Sequence, residues 1–233
     1  MNNEKELVGV GAKVIIKELA RLLPLGNTAV EIYDELQSKQ IERKIQRLEE
    51  FYTNLVNSVN AVSDKVNQEF VKRDDFLDVF EEATRYVVTE RNDEKRLFFK
   101  NILVRSITSF DCDYDKTERY FRLLDNLTEI ELRILAVLDN PDSYNKNHGM
   151  LVKDPFHSAY QTTWNRVTSS GILTQLLGLK IHDVEDAITV LFSNGMIVAN
   201  VLEKKLETNS NPVHVLDNLL TTRGRDFVKY LKG

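Results

Sequence analysis

Any chemistry in this 233-residue chain would have to come from a small set of side chains, and their spacing works against most of it. Asp111-Cys112-Asp113-Tyr114-Asp115 opens like a calcium-binding loop, in which alternate carboxylates converge on one cation. The sixth position, where a sharp turn needs glycine, is Lys116, and the twelfth, where a bidentate glutamate closes the cage, is Arg122. The segment therefore reads as an acidic turn. His148, His157, His182 and His214 are scattered, with no pair one helical turn apart to hold zinc. Cys112 is the lone cysteine, which excludes an intramolecular disulfide and any multi-cysteine metal site. Gly9 and Gly11 form part of a dinucleotide fingerprint, but no strand precedes them and no third glycine follows. Ser169 and Ser170 lack the strand-to-helix elbow of a nucleophilic serine and read as a helix cap. Phe156, Tyr160 and Trp164 share one helical stripe and read as core. The expectation is a protein that is not an enzyme, with no catalytic residue, no metal, no cofactor and no small-molecule substrate.

The composition agrees with that expectation. Apolar residues at 42% and charged residues at 29% describe a globular chain, and only 4 prolines and 9 glycines favour long helices over turn-rich sheets. The formal net charge of −5 gives no electrostatic reason to expect nucleic acid, because phosphate neutralisation supplies most non-specific affinity. A basic, apolar leader with a small-residue cleavage site is missing, so the expected compartment is the cytoplasm. The most apolar stretch, Leu7 to Leu25, is interrupted by Lys13, Lys17, Glu18 and Arg21, which makes a membrane span an unfavourable reading.

Residues 1–125 read as an all-α bundle. Val8, Ala12, Ile15, Leu19 and Leu22 make one stripe, Pro24-Leu25-Gly26 breaks it, and Thr28 with Glu31 has capping-box spacing. Ile41, Ile45, Leu48, Tyr52, Leu55, Val59 and Val62 then step by 4, 3, 4, 3, 4 and 3, a seam of coiled-coil period. Such a seam packs within its own bundle or forms a self-association surface. Asp74 or Asp75 can cap a helix carrying Phe76, Val79, Phe80, Ala83 and Val87. Asn92 or Asp93 can cap the next, which carries Leu97, Phe98, Ile102, Leu103 and Ile107.

Residues 126–233 read as a separate domain. Thr128 and Glu131 make a capping box with Leu127 stapling onto Leu132, and Asn140-Pro141 stops that helix ahead of a polar loop. Asp154-Pro155 opens another helix over 155–168. Residues 172–198, with Gly178 at a sharp turn and Leu176, Leu177, Val184, Ala187, Ile188 and Leu191 at core positions, resemble the paired helices of a winged helix-turn-helix domain. Asn194-Gly195 ends the second helix before the apolar run Met196 to Leu202. The resemblance spans Leu127 to Leu231 and implies an α+β fold. In it Glu203 to Pro212 would be the wing tip, Val213 to Leu216 a return strand and Thr221 to Leu231 a closing helix.

The resemblance also implies a groove-reading second helix, whose outward positions here are Asp183, Glu185, Asp186, Thr189 and Ser193. Three of these five are carboxylates, which repel phosphates where such a helix normally brings arginine, lysine, asparagine or glutamine. The cations that could meet DNA are Lys180, Lys204, Lys205, Arg223 and Arg225, within a half that carries 11 basic and 12 acidic residues. The leading expectation is therefore a non-catalytic cytosolic regulator or adaptor working mainly through protein contacts. A DNA-binding transcriptional regulator, dimerised through the bundle, is the alternative. At the start of the chain, an apolar helix broken by Pro24-Leu25-Gly26 and followed by the charged run 42–51 is similar to uncharacterised bacterial and prophage proteins of suspected defence function. That similarity would permit residues 6–23 to associate with a membrane.

Overall fold

The computed structural model describes residues 14–23, 25, 27–38, 42–109, 114–148, 168–198 and 212–233, and these are mainly helical. The chain divides into two compact units, one of residues 1–126 with Tyr230–Gly233 and one of Leu127–Lys229.

In the first unit, residues 14–22 are helical (α1). They are followed by α2 (Thr28–Ser38), α3 (Glu42–Ala61), a 3-10 turn η1 (Ser63–Lys65), α4 (Asp74–Thr89), α5 (Asp93–Thr108) and α6 (Tyr114–Asn126). Helix α5 packs on α3, α4 and α6. It buries Phe99, Ile102, Leu103, Val104 and Ile107 around much of its circumference, as a central helix must. The aromatic core runs from Tyr52 against Phe80, with centroids 5.8 Å apart, to Phe99 between Tyr86 and Phe121 at 5.1 and 5.9 Å. Each such side chain contributes about 1.5–3 kcal/mol by leaving water.

The seam is part of this core. Leu48, Tyr52, Leu55 and Val59 are buried, Ile45 and Val62 are half-buried, and Ile41 lies outside the described residues. Helix α3 packs on α2, α4 and α5, so the buried part of its apolar stripe is filled by its own unit. Residues 14–23 bury Ile16, Leu19 and Leu23, a stripe turned by one residue from the expected one except at Leu19. Among the described residues no helix is long and apolar enough to cross a membrane.

Helix starts show which local signals held. Asn92 caps α5, its side-chain oxygen accepting the Lys95 N–H at 3.0 Å. Asp74 and Asp75 instead lie in the first turn of α4, whose N-cap is Arg73. There the carboxylates favour the helix dipole rather than terminate the helix. Thr28 is likewise inside α2, where the Glu31 N–H bonds to the Asn27 carbonyl at 2.9 Å.

The second unit comprises α7 (Glu129–Asp139), α8 (Pro141–Asn147), α9 (Ser169–Leu177), α10 (Ile181–Ser193), a 3-10 turn η2 (Pro212–Leu216) and α11 (Thr222–Lys232) up to Lys229. The buried Glu131 carboxylate accepts the Thr128 N–H at 2.7 Å and also meets the Thr128 hydroxyl. Replacing Glu131 with Ala should cost about 1 kcal/mol in urea unfolding, since the capping amide loses its acceptor. Asn140-Pro141 ends α7 but also starts α8, the Asn140 side chain capping the Ser143 N–H at 2.9 Å. The expected polar loop therefore begins with a short helix.

The winged-helix resemblance does not survive. Among the described residues there is no strand. Val213 to Leu216, expected as a return strand, is the 3-10 turn η2, packed on α8 and α9. Its Val213-His214-Val215 alternation imitates a strand, with both valines buried and His214 exposed, but here the alternation serves a turn. Ile197 pairs with Leu220 in an isolated antiparallel bridge rather than a sheet. The expected helix at 155–168 and the expected wing tip lie almost wholly outside the described residues, apart from Thr168, which caps α9 by accepting the Gly171 N–H at 3.2 Å, and Pro212. Ser169 and Ser170 sit buried in the first turn of α9.

Candidate protein-contact surface

Helix α10 is held by its two ends and its inner stripe. Gly178, in the left-handed region at φ 65°, ends α9 and sends its N–H to the Thr174 carbonyl at 3.0 Å. The Arg133 guanidinium of α7 donates to the Leu177 carbonyl at 3.0 Å, a cation on the last turn of α9. Three residues after Gly178 α10 begins, burying Val184, Ala187, Ile188 and Leu191 against α7 and α9. It ends in a Schellman motif: the Met196 N–H bonds to the Leu191 carbonyl at 3.0 Å and the Gly195 N–H to the Phe192 carbonyl at 2.8 Å.

With the inner stripe fixed, a rotation of about 100° per residue places every other side chain. His182, Asp186, Thr189 and Ser193 form the centre of the outward face and are exposed. Asp183 and Val190 lie along one edge, Glu185 and Phe192 along the other. Val190 is 38% and Phe192 49% exposed, which makes them the large apolar side chains that this unit leaves most in water among the described residues. The carboxylates of Asp183 and Asp186 make no hydrogen bond or ion pair with any described residue, whereas Glu185 stands 3.9 Å from His182 Nδ1. The Thr189 and Ser193 hydroxyls donate inward, to the Glu185 carbonyl at 2.9 Å and the Thr189 carbonyl at 2.8 Å. The face therefore offers acceptors and apolar surface, and its hydroxyl protons are already used.

The candidate cations that are described lie off the outward face of this helix. Lys180 precedes α10 as its N-cap residue and is exposed. Arg223 stands near Gly195, and Arg225 donates to the Leu220 carbonyl at 2.8 Å as part of the α11 start. Lys204 and Lys205 lie outside the described residues.

The first unit has a groove of ≈ 170 Å³ between α3 and α5, lined by Glu50, Phe51, Asn54, Asp93, Arg96, Leu97 and Lys100. Its charges are committed within the unit. Arg96 pairs with Asp93 at 2.8 Å and Glu50 at 3.4 Å, and Lys100, held below the usual lysine range by burial, donates to the Ser58 hydroxyl at 2.9 Å. Glu82, on α4, is pushed above the ordinary carboxylate range by burial and by Glu118. Among the described residues no group of histidine, cysteine and carboxylate side chains is placed to hold a metal ion.

The exposed Val190 and Phe192 are what a reading of the sequence misses, since apolar residues in an amphipathic helix are assigned inward. Their one signal is angular: each sits about 100° from Leu191, off the buried stripe. No family model matches the chain, and neither a curated protein nor a solved structure shows significant similarity to it.

Proposed function

We propose that the protein is a non-catalytic cytosolic regulator or adaptor that acts by binding another protein, with α10 of the second unit as a contact. The observation that supports this is the outward face of α10, where Val190 and Phe192 stay in water on a surface whose Asp183 and Asp186 carboxylates have no partner among the described residues. An exposed aromatic on a helix packed along its inner stripe costs little conformational entropy to bury and is a typical interface anchor. The same carboxylates would repel a phosphate backbone, which disfavours a groove-reading role for this helix.

The test is purification of the full chain from its native host, with nucleic acid and polypeptide both analysed. The expected result is a stoichiometric polypeptide that is lost when Asp183→Lys, Asp186→Lys and Phe192→Ser are combined. These positions are exposed, so the Asp186 and Phe192 changes should each alter stability by no more than about 0.5 kcal/mol, while reversing Asp183 in the first turn opposes the helix dipole and should cost about 1 kcal/mol; a melting curve checks that the fold is kept. Recovery of a discrete DNA fragment, or a polypeptide retained equally by the triple variant, overturns the proposal.

A further inference from the structure

Resting on that reading of α10, we infer that the segment it binds is cationic and amphipathic, with lysine or arginine flanking an apolar anchor. Within α10 the only basic side chain is His182, while Asp183, Glu185 and Asp186 supply three negative charges in the first two turns. Thr189 and Ser193 have spent their hydroxyl protons on the helix backbone, so the face can accept hydrogen bonds but has few to give. A complementary surface must bring donors, and lysine and arginine are the side chains that bring donors together with positive charge. Phe192 and Val190 flank this acceptor strip on opposite edges, and they require apolar side chains from the partner at matching places. Burial of those edges supplies affinity, whereas the carboxylates act on encounter rate and on the choice between partners.

Random peptides long enough for about four helical turns, displayed on phage and selected on the immobilised full chain at low salt, test this directly. Each recovered peptide is measured against the wild-type chain, the Asp183→Lys/Asp186→Lys variant and the Phe192→Ser variant. The expected result is enrichment of lysine- and arginine-bearing peptides with an apolar anchor. Their binding should weaken about tenfold or more on the charge-reversed variant and fall as salt is raised. Recovered peptides that depend on Phe192 but are neutral or acidic overturn the inference and leave α10 standing as a protein contact. Recovery of no peptide sensitive to either variant overturns the inference and removes α10 as the contact as well.

Discussion

Gly224→Ala should destabilise the second unit by about 3 kcal/mol or more, although in an exposed helix the same change stabilises by about 1 kcal/mol. A Cβ at residue 224 would lie 2.1 Å from the carbonyl oxygen of Met196 and 3.0 Å from its carbonyl carbon. Both atoms are backbone, so no rotamer change relieves the overlap. Met196 is pinned from several sides. Its N–H bonds to the Leu191 carbonyl at 3.0 Å, its carbonyl accepts the Thr221 N–H at 2.9 Å, and next door the Val198 N–H reaches the Leu219 carbonyl at 2.9 Å. Moving it far enough would break some of these bonds, each worth about 0.5–1.5 kcal/mol. Gly178 gives the contrast: its φ is 65°, but a Cβ there would meet open space, so Gly178→Ala should cost only about 1 kcal/mol of left-handed strain. Hydrogen exchange at the amides of α10 and α11 measures both. An unchanged or slowed exchange in Gly224→Ala would show that the close approach does not exist.

The sequence made parts of this arrangement legible because local physics settled them. The Asn92 cap, the Thr128–Glu131 pair, the turn at Gly178 and the Asn194-Gly195 ending each depend on contacts a few residues apart. The buried positions Leu176, Leu177, Val184, Ala187, Ile188 and Leu191 of α9 and α10 are those the winged-helix resemblance implied, although among the described residues the strands of that fold are missing. Other features needed tertiary context. Pro141 after Asn140 stops one helix and suits the first turn of the next equally well, and only the packing of α8 on α7 and η2 decides between them. The buried–exposed–buried order of Val213, His214 and Val215 fits a strand or a short 3-10 turn, and with no second strand among the described residues the turn prevails. The seam of α3 looked the same from the sequence whether its partner was α4 and α5 or another chain. On the candidate surface the acidic positions of α10 could be placed outward from sequence. The angle of Phe192 off the buried stripe is legible there too, but its 49% exposure is not, because hydrophobicity by itself does not say which apolar residue the unit leaves uncovered.

Removal of the Lys95 ammonium should cost the first unit about 1–3 kcal/mol, because it leaves the half-buried Glu90 carboxylate without its cation and the Asp125 carbonyl without its donor. Lys95 is only 8% exposed, and its Nζ stands 3.2 Å from Glu90 Oε2 and donates to the Asp125 carbonyl at 2.9 Å. Glu90 is the C-cap residue of α4, Lys95 lies in the first turn of α5, and Asp125 lies in the last turn of α6, so one cation ties three helix ends together. Burial pushes the Glu90 carboxyl upward, but the N–H groups of Asn92 and Arg91 and the Lys95 ammonium outweigh burial and hold it below the usual carboxylate range. A depressed carboxylate gives stability that is complete above its unfolded value of about 4.3 and is lost as pH falls through the folded value. In Lys95→Met the folded Glu90 value rises, so this contribution shrinks and acid loss begins at a higher pH. Glu49 and Glu82 are raised by burial and titrate in the opposite sense, gaining stability as pH falls, and both remain in wild type and variant alike. The difference between the two unfolding curves therefore isolates Glu90. Urea midpoints between about pH 3 and pH 7 should converge towards the acid end of that range, as protonation removes the pair from wild type. A gap that stays constant across the range would mean that Lys95 acts through its pH-independent bond to the Asp125 carbonyl rather than through Glu90. Combining Lys95→Met with Glu90→Leu should recover part of the loss, because a buried pair replaced by apolar side chains leaves no uncompensated charge.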